Sequence, residues 1–88
     1  MSEILNPQDA ELEEVVLGAC LLESKAITLV ADILRPEVFY NEVNREIYSA
    51  LQSMYRAGKA IDIITAKEEL AQRGKLEFVG GAYTIVRV

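Results

Sequence analysis

The stretch that decides the fold runs from residue 7 to residue 22 and reads PQDAELEEVVLGACLL. Its apolar residues recur three and four positions apart, which is the spacing of one helix face: Leu12, Val15, Val16, Ala19 and Leu22. Three more apolar residues widen that face: Leu17, Cys20 and Leu21. A helix apolar over so much of its circumference is typical of the centre of a domain. The pattern predicts a central helix, capped by Asn6 and with Pro7 in its first turn.

The start of this helix carries three glutamates, Glu11, Glu13 and Glu14. Glu11 and Glu14 share a helix face, Glu13 points elsewhere, and no second acidic cluster complements them. We therefore predict an exposed helix start, where carboxylates favour the positive end of the helix dipole, rather than a catalytic or metal-binding group. Residues 1–24 hold six acids and no base, so an acidic face for a basic partner stays an alternative.

Two further helices are predicted in the middle of the chain. Segment 26–34 has helical spacing and is ended by Pro36, because the residue before a proline is pushed out of the helical region. Asn41 is the predicted cap of the third helix, and Gly58 closes it in the left-handed conformation. We expect Arg45 to lie on a solvated, mixed-charge face of that helix, since acidic residues surround it in the sequence.

A fourth helix is predicted from a capping box, in which Thr65 caps and Glu68 reaches back, to Gly74. Segment 82–88 is ambiguous, because its β-branched residues suggest a strand that would have no partner in a helical chain. The sequence predicts an all-α fold with at least four helices and no sheet of three or more strands. The predicted core includes six residues: Leu17, Leu22, Phe39, Ile47, Leu51 and Leu70.

Composition excludes most catalytic chemistry for this single domain of 88 residues. There is no histidine, and the one cysteine, Cys20, lies in an apolar run and is predicted to be a buried small hydrophobe. No P-loop motif occurs. The net charge of −5 disfavours contact with nucleic acid. With no long apolar run and no basic leader, we expect a soluble, cytoplasmic protein without membrane contact and with no catalytic, cofactor or metal site.

Four residues are candidates for a partner interface. Tyr48 and Tyr55 are seven residues apart, beside the predicted core face of the third helix. Such a stripe is either the edge of the core or an anchor for a partner, a role in which tyrosine is common. Tyr83 and Ile85 lie in an apolar segment at the end of the chain, where residues are normally polar.

Five motifs in order carry a resemblance to a known family. They are an acid-rich helix after Pro7 with the pair Leu17-Gly18, then Leu34-Arg35-Pro36-Glu37-Val38-Phe39-Tyr40, then Gly58, then Ile61-Asp62-Ile63-Ile64-Thr65, and then Val79-Gly80-Gly81. Over residues 7–85 the chain resembles the N-terminal domain of bacterial replicative DNA helicases, the DnaB-like group. It departs from that family at Asn44, where a histidine is common, and at Thr84, where an aromatic residue is frequent.

The resemblance implies an all-helical head of the helicase's N-terminal collar, with residues 1–6 as a tail and residues 7–88 as the head. In the family, the chain continues into a helical hairpin, a linker and a RecA-like motor, which binds ATP and Mg²⁺ and drives a hexameric ring along one DNA strand. We expect this chain to end before the hairpin and to lack the motor and its cofactors. The implied partners are other helicase subunits in a homo-hexamer, primase, and single-stranded DNA through the motor.

Two functional hypotheses remain. The first is an assembly and protein-interaction domain of a replicative helicase. The full parent protein would then be an ATP-dependent enzyme, although these residues hold no catalytic motif. The alternative is a free-standing helical adaptor that has no motor. A small enzyme is disfavoured because the sequence lacks histidine and a convergent polar site. In the resembled family, the apolar segment 82–88 runs into a helical hairpin that contacts neighbouring subunits. Because we expect this hairpin to be missing here, we expect the apolar surface to be left open and the chain alone to be monomeric or weakly dimeric, and the hairpin to strengthen association.

Overall fold

Residues 10–80, the part of the chain that the computed structural model describes, form four α-helices. They are α1 (Ala10–Leu22), α2 (Ser24–Val30), α3 (Glu42–Arg56) and α4 (Ile63–Gln72), with a 3₁₀ turn at Pro36–Val38. No strand occurs between residues 10 and 80. The predicted all-α fold with at least four helices is confirmed. The predicted cap at Asn6 and Pro7, the tail 1–6 and segment 82–88 lie outside the described residues.

The helix α3 contacts every other helix and the 3₁₀ turn, so it forms the centre of the domain. Its start is set locally, because the Asn41 Oδ1 accepts a hydrogen bond from the Asn44 backbone N–H (3.0 Å). Its end is followed by Gly58, whose φ of +74° is the left-handed conformation that glycine adopts without steric cost. Both predicted ends of this helix are confirmed.

The helix α2 ends at Val30, four residues before the predicted end of its segment. Carbonyls just after this end are bonded by side chains of α3. The Gln52 Nε2 donates to the Ala31 carbonyl (2.8 Å), and the Tyr48 hydroxyl donates to the Leu34 carbonyl (2.8 Å). Because the last carbonyls of a helix have no partner within it, side chains from a neighbouring helix can take their place.

The core lies where α3 meets the other elements. Five of the six residues predicted for it are fully buried: Leu17, Phe39, Ile47, Leu51 and Leu70. The Phe39 and Tyr48 rings stack with their centroids 4.9 Å apart. The other phenylalanine of the chain, Phe78, is about half exposed and lies under the Lys75 ammonium.

The prediction for Leu22 is wrong, since 81% of this residue is exposed. The helix α1 has two apolar faces, and only one of them is buried. For this reason α1 is not the central helix that its sequence predicted. Leu17 and Leu21 lie on the face that enters the core, whereas Val15 and Leu22 lie on the opposite face, in solvent. Helical spacing describes both faces equally well, and only the packing of the other helices selects one of them.

The start of α4 is a capping box, but it lies three residues before the predicted one. The Asp62 side chain accepts a hydrogen bond from the Thr65 backbone N–H (2.8 Å). In return, the Thr65 hydroxyl accepts one from the Asp62 backbone N–H (2.9 Å). Thr65 is thus the third helical residue and not the cap, and Glu68 has no part in the box. The predicted end holds, since Gly74 has a φ of +72°.

Candidate interaction surface

A buried carboxylate joins α1 to the segment before α3. Glu13 is only 1% exposed. Its Oε2 accepts a hydrogen bond from the Tyr40 backbone N–H (2.8 Å), and its Oε1 accepts one from the Asn44 Nδ2 (3.0 Å) and a longer one from the Asn41 N–H (3.3 Å). The prediction that Glu13 belongs to an exposed helix start is therefore wrong. The sequence could not show it, because all the donors lie at least 27 residues further along the chain.

The side chain of Arg45 binds backbone carbonyl groups of the same segment before α3. Its Nε donates to the Phe39 carbonyl (3.1 Å), and its Nη2 lies 3.4 Å from the Tyr40 carbonyl. Arg45 is half-buried and does not lie on the solvated, mixed-charge face that its acidic neighbours predicted. A guanidinium has several donors in a fixed plane, so one arginine can satisfy two successive carbonyls.

Together these contacts hold the segment 39–41, which we call the Tyr40 loop, from two sides. Glu13 binds its N–H groups and Arg45 binds its carbonyls. Phe39 is fully buried, whereas the next residue, Tyr40, is 62% exposed. Successive side chains of an extended segment point to opposite sides. The loop is therefore anchored by one aromatic ring and presents the next one to solvent.

The structure tests only part of the predicted interface. Tyr48 is fully buried, and its hydroxyl donates to the carbonyl of Val30 at the end of α2 (3.2 Å) as well as to that of Leu34, so its assignment as a partner contact is corrected: it belongs to the core. Burial raises the pKa of Tyr48 to about 12. Tyr55 is half-buried and packs against the core. Tyr83 and Ile85 lie outside the described residues, and their role stays a prediction.

Sequence reasoning missed Tyr40 as a candidate. The signal was present in the Phe39-Tyr40 pair that follows Pro36, because two aromatic residues in an extended segment cannot both face the same core. Other large apolar residues are also exposed within residues 10–80: Val15, Leu22, Leu29, Ile33, Val38, Ile64 and Phe78. Single exposed apolar residues are normal on protein surfaces and indicate no function by themselves.

The described residues hold no group of three or more side chains that could ligate a metal. An open groove of about 330 Å³ lies between the end of α3 and α4, with Met54 and Ala60 in its lining and a Lys59–Glu69 ion pair (3.3 Å) beside it. Cys20 is buried, as predicted, and burial raises the pKa of its thiol to about 11. The thiolate, which is the nucleophilic form, is therefore disfavoured.

These features define a small all-α domain built around α3, with a hydrogen-bonded loop that presents Tyr40. The family model described as "DnaB-like helicase N terminal domain" matches residues 5–88. The chain belongs to this family, and the resemblance predicted from its motifs is confirmed. None of the helices within residues 10–80 is long and apolar enough to cross a membrane.

Relatives and a solved structure agree with this assignment. The "Replicative DNA helicase DnaC" of Bacillus subtilis is 39% identical over 85 residues, which covers 92% of this chain and 19% of that protein. The "Replicative DNA helicase DnaB" of Rhodothermus marinus is 40% identical over 74 residues, covering 84% of this chain and 8% of that protein. The chain thus spans less than a fifth of either relative.

The solved structure is the crystal structure of the N-terminal domain of DnaB helicase from Mycobacterium tuberculosis. It matches with a TM-score of 0.84 and 35% sequence identity, covering 94% of this chain and 56% of that chain.

Proposed function

We propose that this chain is the assembly and protein-interaction domain of a cytoplasmic replicative DNA helicase, that it contributes to the hexamer collar, and that primase docks on it. The observation that carries the proposal is the family match over residues 5–88, together with relatives that are named as replicative DNA helicases. In this proposal the parent protein unwinds DNA with ATP and Mg²⁺ held by a separate motor domain, which also contacts the DNA strand.

The encoding reading frame tests the parentage. A P-loop motif downstream of codon 88 supports the helicase, because this loop is what grips the phosphates of ATP in such motors. A frame that ends without a motor domain contradicts the proposal and favours a free-standing helical adaptor.

Sedimentation velocity tests the assembly role. We expect the 88-residue chain to be monomeric or weakly dimeric. A version extended along its reading frame to the length of the solved relative should associate more strongly. Adding the C-terminal domain of primase should increase the mass of the extended version. A stable hexamer of the 88-residue chain alone, or no change with primase, would contradict the corresponding part of the proposal.

A third experiment separates interaction from motor activity. Because the chain has a net charge of −5 and no P-loop, it should neither hydrolyse ATP nor bind single-stranded DNA at physiological salt. Fluorescence anisotropy with a labelled oligonucleotide measures the second point. Sub-micromolar affinity at that salt concentration would contradict the proposed division of roles.

A further inference from the structure

The Tyr40 loop is hydrogen-bonded to α1 and α3. The Tyr40 and Asn41 backbone N–H groups donate to Glu13, and the Phe39 carbonyl accepts from the Arg45 Nε. The Phe39 ring beneath it is fully buried against Tyr48. A loop ordered in this way loses little conformational entropy on binding. Tyrosine adds a large contact area with few rotatable bonds, and for this reason it is frequent among the residues that dominate binding energy.

The charges beside the loop are unbalanced. Glu37 precedes the loop and Glu42 follows it, and both are exposed. Glu14, the residue after Glu13 in α1, is half-buried. Among residues 10–80 the one ion pair is Lys59–Glu69, far along the chain from these carboxylates.

Two bases lie near these carboxylates in the chain. Arg35 is exposed, and Arg45 directs its guanidinium to the carbonyls of Phe39 and Tyr40. Residues 35–46 hold three acids and two bases, and Glu13 adds a fourth acid against the loop, so the formal net charge here is −2. An exposed aromatic ring among unpaired carboxylates complements a surface that offers apolar contact together with lysine or arginine. The same carboxylates repel the phosphates of a nucleic acid.

We propose that the Tyr40 loop, with Glu37 and Glu42 beside it, is a docking site for a basic, apolar segment of another protein. Tyr40 is the anchor that inserts between apolar side chains of the partner. The carboxylates pair with its lysine or arginine residues, and Glu13 and Arg45 are positioning residues that keep the loop in its binding conformation. The inference rests on the proposed role as an interaction domain, but it concerns a surface that this role does not specify.

The test uses a defined peptide, so that it depends on neither helicase subunits nor primase. A short, acetylated and amidated peptide in which arginine alternates with leucine is titrated into the ¹⁵N-labelled chain and followed by NMR chemical shifts. We expect the shifts to concentrate at residues 37–45 and to decrease as salt is added, because exposed ion pairs are screened. A matched peptide of alternating glutamate and leucine should cause no shifts there.

Two variants and two controls localise the site. Tyr40→Ala should weaken binding about tenfold or more, as expected for an anchor residue. Glu37→Gln with Glu42→Gln should remove most of the salt dependence. Ile64→Ala is the control for an exposed apolar residue, since Ile64 on α4 is 67% exposed, and Glu68→Gln is the control for an exposed acid. Neither control should change the affinity.

Three outcomes would overturn the inference. They are shifts centred elsewhere on the domain, equal binding of the acidic peptide, and an affinity unchanged by Tyr40→Ala. A change in sedimentation that depends on Tyr40 without any peptide would instead identify a second copy of the chain as the occupant, and this also contradicts the proposed partner. Failure of these tests leaves the assembly role untouched, because that role is measured by sedimentation of the extended chain and with primase.

Discussion

Glu13 in α1 accepts a hydrogen bond from the backbone N–H of Tyr40, 27 residues later, with 2.8 Å between the carboxylate Oε2 and the nitrogen. The same carboxylate binds the Asn44 side chain at the start of α3. One buried acid therefore joins α1 to the stretch 40–44, which lies 27 or more residues further along the chain. A buried carboxylate costs free energy unless its oxygens are bonded, and every bond to Glu13 described here comes from a neutral donor.

We expect Glu13→Ala to lower the free energy of unfolding by roughly 3 kcal/mol, because it leaves buried donors without partners. Glu13→Gln keeps an accepting carbonyl but also turns an amide N–H towards other donors, so it should cost roughly 1.5–3 kcal/mol. Urea denaturation followed by circular dichroism measures both. Glu14→Ala, one residue further on α1, is the control and should change stability by about 0.5 kcal/mol or less. Equal effects at the two positions would show that the Glu13 bonds do not stabilise the fold.

The two faces of α1 predict opposite outcomes for the same substitution. Leu17 is fully buried, so Leu17→Ala should cost about 2–5 kcal/mol through lost burial and the cavity that remains. Leu22 is 81% exposed, so Leu22→Ala should cost about 0.5 kcal/mol or less. Thermal unfolding of the two variants, compared with the parent chain, measures the difference. A large loss at Leu22 would mean that this face is covered in the folded protein.

The capping box of α4 predicts which of three polar residues contributes most to the stability of this helix. Asp62→Ala should cost about 1 kcal/mol, because it removes the side chain that binds the Thr65 N–H. Thr65→Ala should cost less, since only the reciprocal bond to the Asp62 N–H is lost. Glu68→Ala, at the position that the sequence assigned to the box, should have no effect beyond about 0.5 kcal/mol. Chemical denaturation that ranks Glu68 above Asp62 would contradict the observed cap.

The thiol of Cys20 should react slowly in the folded protein. With a pKa raised to about 11 by burial, its thiolate fraction at pH 8 is on the order of one thousandth. Iodoacetamide labelling at pH 8, followed by mass spectrometry, should be at least about a hundredfold slower in buffer than in urea, where the thiol is exposed and more acidic. Similar rates in both solutions would show an accessible, reactive thiol.

The same burial makes stability depend on alkaline pH. The unfolded thiol loses its proton near pH 9.0 and the folded one only near pH 11, so the contribution of Cys20 is complete below pH 9 and is lost as the pH rises through 11. Tyr48 acts in the same direction between its ordinary value of 10.0 and about 12. Urea midpoints of the parent chain should fall over this range, and those of Cys20→Ala should fall less steeply. Parallel curves for the two proteins would contradict the shifted pKa of Cys20.

The sequence by itself determined the features that depend on residues close together in the chain. The Asn41 cap, the left-handed Gly58 and Gly74, and the helical spacing around Ile47 and Leu51 each involve one turn of helix or less, so the pattern carries the necessary information. The family was also recognisable, because its motifs are short and occur in a fixed order.

Only the tertiary structure decided which face of α1 is buried, where α2 ends and what Glu13 binds. Both faces of α1 are apolar, so periodicity could not distinguish Leu17 from Leu22. The carbonyls that follow α2 are bonded by donors from α3, and the partners of Glu13 lie in the Tyr40 loop and on α3. A hydrogen bond between elements depends on how they pack, and local patterns hold no record of that packing. For this reason the roles of Glu13 and Arg45 at the candidate surface became evident only in the folded chain, whereas the Phe39-Tyr40 pair was already a signal in the sequence.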